Sequence, residues 1–171
     1  MNNLKYITFG VFLMLMQMLI SGYVNIWPML YIAVFPMLLI ALPHNINRYI
    51  SLLIAFGTGL LTDFISDGVL GLNAAAATAL MYFREPFFHL IINKSTLENM
   101  TLLTERSIGT SKFILLSAFS YAIFFIFYIA FDSGESTSFY YILFRFVINL
   151  TVNVAVIILL WKTLLAQLFR Q

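Results

Sequence analysis

Apolar residues run along this chain in long blocks separated by short polar stretches. A membrane-spanning helix needs about 20 mostly apolar residues, and backbone groups in lipid must be hydrogen-bonded within the chain, which favours helices. Runs such as FLMLMQMLI and VAVIILLW lack the strict apolar–polar alternation of a barrel strand. We therefore predict an all-α integral membrane protein, a six-helix transmembrane bundle forming one domain over residues 1–171. Its spans are predicted at about 6–24, 26–42, 49–65, 69–83, 113–131 and 139–161.

Breaker residues add detail to the first four spans. Pro36 falls within the second span and predicts a kink there, and Pro43 ends that span. The third and fourth spans are short, and together they form a helical hairpin that turns at the SDG sequence of residues 66–68. A continuation of the fourth span toward Ile92 stays open, because Pro86 lies in between.

One sizeable loop separates the fourth and fifth spans, at residues 84–112. Within it, Ser95 is followed three residues later by Glu98, the pattern of a helix N-terminal capping box. Apolar residues recur on one face of the following turns. We therefore expect a short amphipathic helix at the membrane surface.

The basic residues predict the orientation of the bundle. With the N-terminus in the cytoplasm, none of the nine Lys and Arg falls in an outer loop, and only Arg145 lies within a span. The positive-inside rule therefore places both termini in the cytoplasm, together with loop 84–112. An odd number of spans would not keep the loop Lys and Arg residues on one side of the membrane. The basic residues that are predicted to be cytoplasmic are Lys5, Arg48, Arg84, Lys94, Arg106, Lys112, Lys162 and Arg170.

Composition excludes several classes of function. Only 9% of residues are charged and 62% are apolar, whereas soluble domains carry about a quarter charged residues. Cysteine is absent, which removes disulfides, thiolate catalysis and cysteine-based metal sites. The net charge of +2 is too small to indicate a nucleic-acid-binding surface, so we expect no nucleic-acid partner.

Polar side chains inside the spans are the candidate functional residues. A charge within a span is costly and usually faces the bundle interior, which draws attention to Arg145. Asn149 and Asn153 follow at i+4 and i+8 and form a polar stripe with it. Asp63 lies near the outer end of the third span, at a similar depth. We hypothesise that Asp63 pairs with Arg145, directly or through water, in a polar cluster with the two asparagines that borders a pocket. The alternative is that Arg145 reaches to the outer headgroups and Asp63 is a rim residue.

Catalytic and metal-binding constellations are not evident. An intramembrane aspartyl dyad needs two carboxyl groups that share a proton, and we expect them on different helices, but Asp63 and Asp67 lie four residues apart on one segment. His44 and His89 have neither a serine motif nor a metal-ligand spacing around them. We therefore expect no enzymatic activity, no metal and no cofactor.

The LPHNIN sequence (42–47), followed by GTGLLTDFISDGVLGLNAAAATALMYF (57–83), resembles the MreD family of rod shape-determining bacterial membrane proteins. The chain length, six spans and cytoplasmic termini are also similar to that family. The end of the second span and the hairpin motif carry the resemblance. The matching positions are Leu42, Pro43 and His44, and then Gly57, Gly59, Leu60, Leu61, Asp63, Gly68, Leu70 and Gly71.

This resemblance implies a non-catalytic scaffold and regulator of the cell-wall elongation (Rod) complex in the bacterial cytoplasmic (inner) membrane. It implies binding to an MreC-like protein, beside RodA, a class B penicillin-binding transpeptidase and MreB filaments, in membrane lipid. The role would be control of peptidoglycan synthesis and cell shape.

The resemblance also implies a fold similar to the substrate-binding S components of energy-coupling-factor vitamin transporters. That the chain is itself such a subunit stays open as the alternative. Those subunits commonly dock their coupling partner through small residues on the first helix. The first helix here, FGVFLMLMQMLISG, is bulky through its middle, which weighs against this alternative.

Overall fold

The computed structural model describes residues 3–23, 29–43, 46–66, 69–92, 109–133 and 138–161. Every regular element in these ranges is a helix, which confirms the all-α prediction. The helices are α1 (Asn3–Tyr23), α2 (Pro36–Ala41), α3 (Arg48–Ile65), α4 (Leu72–Ile91), α5 (Thr110–Asp132) and α6 (Phe139–Leu160).

Three of these helices, α3, α5 and α6, are long and apolar enough to cross a membrane. A shorter apolar stretch, Thr8–Gly22, lies within α1. On α6 several large apolar side chains are exposed, among them Phe144, Val147 and Leu159, while the polar Asn149 and Asn153 are buried. This inverted distribution fits a helix whose outer surface contacts lipid rather than water, and it supports a membrane location.

The second predicted span, residues 26–42, is not one continuous helix. Residues 29–35 are not helical, and α2 comprises only the six residues Pro36–Ala41, about 9 Å of helix. Instead of kinking a long helix, Pro36 starts a short one, because proline lacks an N–H and its fixed φ suits the first helical turn. The apolar character of this helix corresponds to burial inside the bundle, since every residue of α2 is buried.

The remaining helices pack in chain order around α2. Helix α3 lies against α4, α4 against α5, and α5 against α6, while α2 contacts α1, α4 and α5. Aromatic side chains fill the centre, with the Phe35 and Phe124 rings in an edge-to-face arrangement at 5.6 Å between centroids. The non-helical segment 29–35 and α2 therefore form the middle of the bundle.

Helix α4 is longer than its predicted span. It continues past Pro86 to Ile91, as the open alternative allowed. Residues 84–91 consequently belong to a helix and not to the predicted loop. The proposed amphipathic helix around Ser95 and Glu98 lies outside the described residues.

Candidate functional site

Asp63 joins the two helices of the hairpin. Its side chain is 1% exposed and accepts four hydrogen bonds from the start of α4. Oδ1 accepts from the backbone N–H and the side-chain Nδ2 of Asn73, at 2.8 and 2.9 Å. Oδ2 accepts from the N–H groups of Gly71 and Ala74, at 3.0 and 3.1 Å. These are N–H groups that a helix N-terminus leaves without intrahelical partners, so Asp63 caps α4 from the neighbouring helix.

Two glycines of the hairpin motif make this cap geometry feasible. Gly71 has φ +95°, a left-handed conformation that side chains rarely adopt. Gly59 lies where α3 meets the first turn of α4: a Cβ added there would be 2.5 Å from the Ala74 Cα. By contrast, a Cβ at Gly57 would meet nothing within 4 Å. The motif thus holds one left-handed turn and one point of close helix approach.

The two asparagines of α6 bind the non-helical segment rather than Asp63. Asn149 accepts from the Tyr31 N–H at 2.7 Å and donates to the Met29 carbonyl at 2.8 Å. Asn153 accepts from the Ala33 N–H and donates to the Tyr31 carbonyl, both at 2.8 Å. Each amide therefore bridges a backbone C=O and the N–H two residues later, as a neighbouring strand does.

The spacing of the stripe matches the spacing of the segment. Residues four apart on a helix rise by about 6.0 Å, and two residues of extended chain cover about 6.6 Å. Side chains at i and i+4 on α6 can therefore reach successive hydrogen-bonding positions along one edge of residues 29–33. Tyr121 completes this edge, because its hydroxyl donates to the Ala33 carbonyl at 2.8 Å.

The opposite edge of the segment is bound by α1. Gln17 is 1% exposed; its Nε2 donates to the Ile32 carbonyl at 3.1 Å, and its Oε1 accepts from the Val34 N–H at 2.7 Å. Non-helical backbone at membrane depth is tolerated only where it is buried in protein or lines a water-filled cavity. Three amide side chains from two helices supply the hydrogen bonds that this segment needs.

The predicted pairing of Asp63 with Arg145 is wrong. Arg145 instead forms an ion pair with Asp132, the last residue of α5, with 2.5 Å between Nη2 and Oδ2. Their side chains are 12% and 28% exposed. The pairing across the short α5–α6 connection brings the two charges together without crossing the bundle, while Asp63 is occupied by α4.

Two tyrosine rings stack beside the non-helical segment. Tyr31, in the non-helical segment, stacks on Tyr128 of α5 with 4.7 Å between ring centroids. The members of the predicted cluster therefore have different partners from those expected.

The motif at the end of the second span also has a structural partner. The buried Arg84 of α4 donates hydrogen bonds to the carbonyl oxygens of Ile40 and Leu42. Pro43 directly follows this point. Gly68 of the hairpin motif and His44 lie outside the described residues.

Sequence reasoning missed three side chains that shape this site. Gln17 was detectable as an amide within the apolar run FLMLMQMLI, and Asn73 as a polar residue at the start of the fourth span. Arg84 was counted only as a cytoplasmic charge.

Other features of ligand sites are limited. Within the part of the chain that the structure describes, no group of three or more His, Asp or Glu could hold a metal ion. An apolar groove of about 460 Å³ lies between α1, α2 and α3, bordered by Gly10, Met14, Leu38 and Thr58. No protein-family model, curated protein or solved structure matches this chain.

Proposed function

We propose that this chain is a non-catalytic membrane scaffold of the bacterial cell-wall elongation complex, located in the cytoplasmic membrane with both termini in the cytoplasm. In this role it binds an MreC-like protein, beside RodA and its class B transpeptidase, and helps to control peptidoglycan synthesis. The observation that carries the proposal is the hairpin motif of residues 57–83, which resembles the MreD family.

Three residues of the motif have defined structural roles in the hairpin. Gly59 permits close approach of α3 and α4, Gly71 supplies the left-handed turn, and Asp63 caps α4 across the hairpin. These three residues depend on one another, because all three act where α3 meets the start of α4. A scaffold that presents fixed surfaces to partners needs closely packed helices, and the packing of this hairpin supports the proposal.

Affinity purification tests this proposal directly. The tagged protein is extracted from its native membrane in mild detergent, and the co-purifying proteins are identified by mass spectrometry. We expect to recover an MreC-like protein, with or without RodA and the transpeptidase. A Gly59→Ala variant is expected to recover less of it than Gly57→Ala, because only the former separates the hairpin helices.

Recovery of an energy-coupling ATPase with its transmembrane partner, and no MreC-like protein, would overturn the proposal. The chain would then be a substrate-binding subunit with a fold similar to the S components. The test therefore distinguishes the two functional classes suggested by the sequence.

A further inference from the structure

A small polar pocket lies between α3 and α4, at the end of the bundle that is predicted to face the cytoplasm. Its polar lining comes from Arg48, Ser51, Arg84 and Glu85. The volume of about 20 Å³ exceeds the roughly 10–15 Å³ that one water-sized group needs. The pocket therefore has room for a single oxygen-sized atom beside two guanidinium groups.

Arg84 supplies the buried wall of this pocket. The residue is 7% exposed, and its guanidinium stacks over the Phe88 ring at 4.4 Å from the ring centroid. Nη2 is used by the carbonyls of Ile40 and Leu42. The Nε atom is buried and has no hydrogen-bond partner among the described residues. A buried donor on a charged group is costly to leave unsatisfied.

No carboxylate of the described residues forms an ion pair with Arg84. The ion pairs found there are Arg48 with Glu85 and Arg145 with Asp132. The Arg48–Glu85 pair is loose, at 3.9 Å between Nε and Oε2, and both side chains are nearly half exposed. The pocket thus carries two positive charges against one negative charge, with Arg48 half-exposed and Arg84 buried.

We propose that this pocket binds the phosphate of an anionic phospholipid headgroup in the cytoplasmic leaflet. One phosphate oxygen enters the pocket and accepts from Arg84 Nε, while Arg48 at the rim turns from Glu85 to the remaining oxygens. Arginine is well suited to phosphate recognition, because its planar guanidinium presents several donors in a fixed arrangement.

The position of the pocket favours a lipid over a free anion. Arg48 begins α3 and its guanidinium also stacks on Tyr82, 4.7 Å from the ring centroid, at an exposed aromatic surface. Basic pockets between transmembrane helices on the cytoplasmic side are typical binding places for anionic headgroups. This inference does not depend on the proposed scaffold function.

Lipid titration of the purified full chain tests the proposal. The protein is delipidated in mild detergent, titrated with phosphatidylglycerol or zwitterionic phosphatidylcholine, and the bound lipid is counted by native mass spectrometry. Near a membrane surface one basic residue contributes about 1 kcal/mol to anionic lipid binding, roughly fivefold in affinity. We expect one phosphatidylglycerol to bind at least about fivefold more tightly than phosphatidylcholine.

Four variants separate a built site from general surface charge. Arg48→Gln should lose about fivefold in affinity, whereas Lys112→Gln, an exposed cation on α5, should lose nothing. Glu85→Gln should tighten binding, because it removes the competing carboxylate. Arg84→Lys keeps the charge but removes Nε, and it should weaken binding. The Arg48 and Glu85 variants suffice if Arg84→Lys fails to fold.

Three results would overturn the proposal. The first is equal affinity for the two lipids, and the second is an equal loss in Arg48→Gln and Lys112→Gln. The third is competition by inorganic phosphate at the same concentration as the lipid, which would identify a small-anion site.

Discussion

Asp63 shows how one side chain can stabilise a connection between two membrane helices. Its two oxygens accept four hydrogen bonds from residues 71–74. The negative side chain also lies at the positive end of the α4 dipole. Both effects act at the tightest point of the hairpin, next to Gly59. The acid that looked like a pairing partner for a distant arginine is therefore a helix cap.

Replacing Asp63 with asparagine should destabilise the protein despite the similar shape. An amide has a single acceptor oxygen, so its NH₂ group would face two of the four donors of residues 71–74. Each buried donor left unsatisfied costs about 1–3 kcal/mol. Unfolding in mild-detergent micelles with added sodium dodecyl sulfate measures this loss.

Ser66→Ala is the matched control for that substitution. The Ser66 hydroxyl donates to the Thr62 carbonyl, four residues earlier, so the free energy of unfolding should change by less than about 0.5 kcal/mol. Equal stabilities of the Asp63→Asn and wild-type proteins would contradict the capping role.

Double-mutant cycles distinguish the observed partner of Arg145 from the predicted one. The cycle of Asp132→Asn with Arg145→Gln should give a coupling energy of about 0.5–3 kcal/mol, because the two side chains form an ion pair. The cycle of Asp63→Asn with Arg145→Gln should be additive within about 0.5 kcal/mol. The reverse pattern would restore the original hypothesis.

At the scale of an element, the non-helical segment 29–35 depends on polar side chains from other helices. Asn149 and Asn153 act along one edge and Gln17 along the other. The two amides of α6 therefore take the place of a neighbouring strand. The apolar side chains of the segment can then remain buried without unsatisfied backbone groups.

Asn153→Leu should remove one of the amide bridges to the non-helical segment. The Tyr31 carbonyl and the Ala33 N–H would each lose a partner, at about 1–3 kcal/mol apiece. Thr151→Val, on the same helix, removes an exposed hydroxyl bonded to its own backbone and should be nearly neutral. Amide hydrogen exchange should rise at residues 31–33 in Asn153→Leu alone; unchanged exchange there would disprove the assignment.

The two glycines of the GTG sequence should respond in opposite directions to alanine. Gly59→Ala places a methyl group against the Ala74 backbone and should cost about 1–3 kcal/mol, because backbone atoms cannot turn away. Gly57→Ala meets open space and should stabilise α3 by about 0.5–1 kcal/mol. The same unfolding titration measures both, and a similar effect of the two changes would argue against close packing at Gly59.

At the scale of the whole molecule, the apolar blocks predicted most helices well. Predicted spans 113–131 and 139–161 correspond to Thr110–Asp132 and Phe139–Leu160. The length of an apolar block is tied to membrane thickness, so it translates into helix length. The prediction of one helix over residues 26–42 failed because hydropathy reports burial and not backbone conformation. An extended segment is as apolar as a helix when side chains such as Gln17 supply its hydrogen bonds.

The partners of the candidate site residues differ from the predicted ones. Opposite charge predicted a partner for Asp63 that is distant in sequence, Arg145. The partners actually used by Asp63 are only eight to eleven residues away. A tight turn brings backbone donors to a side chain more reliably than two helices bring separate charges together. The sequence alone does not show which of these two kinds of partner Asp63 uses.

The predicted orientation of the bundle can be tested with single cysteines, because the chain contains none. Helix α5 has 23 residues and is about 35 Å long, so its two ends should lie on opposite sides of the membrane. Ser111, in the first turn of α5, and Ser138, directly before α6, are both exposed. In intact spheroplasts, a membrane-impermeant maleimide should label Ser138→Cys but not Ser111→Cys, and permeabilisation should expose both. Labelling of Ser111→Cys alone would invert the topology and move the arginine pocket to the outer leaflet, since Arg48, Arg84 and Lys112 would then face outward against the positive-inside rule.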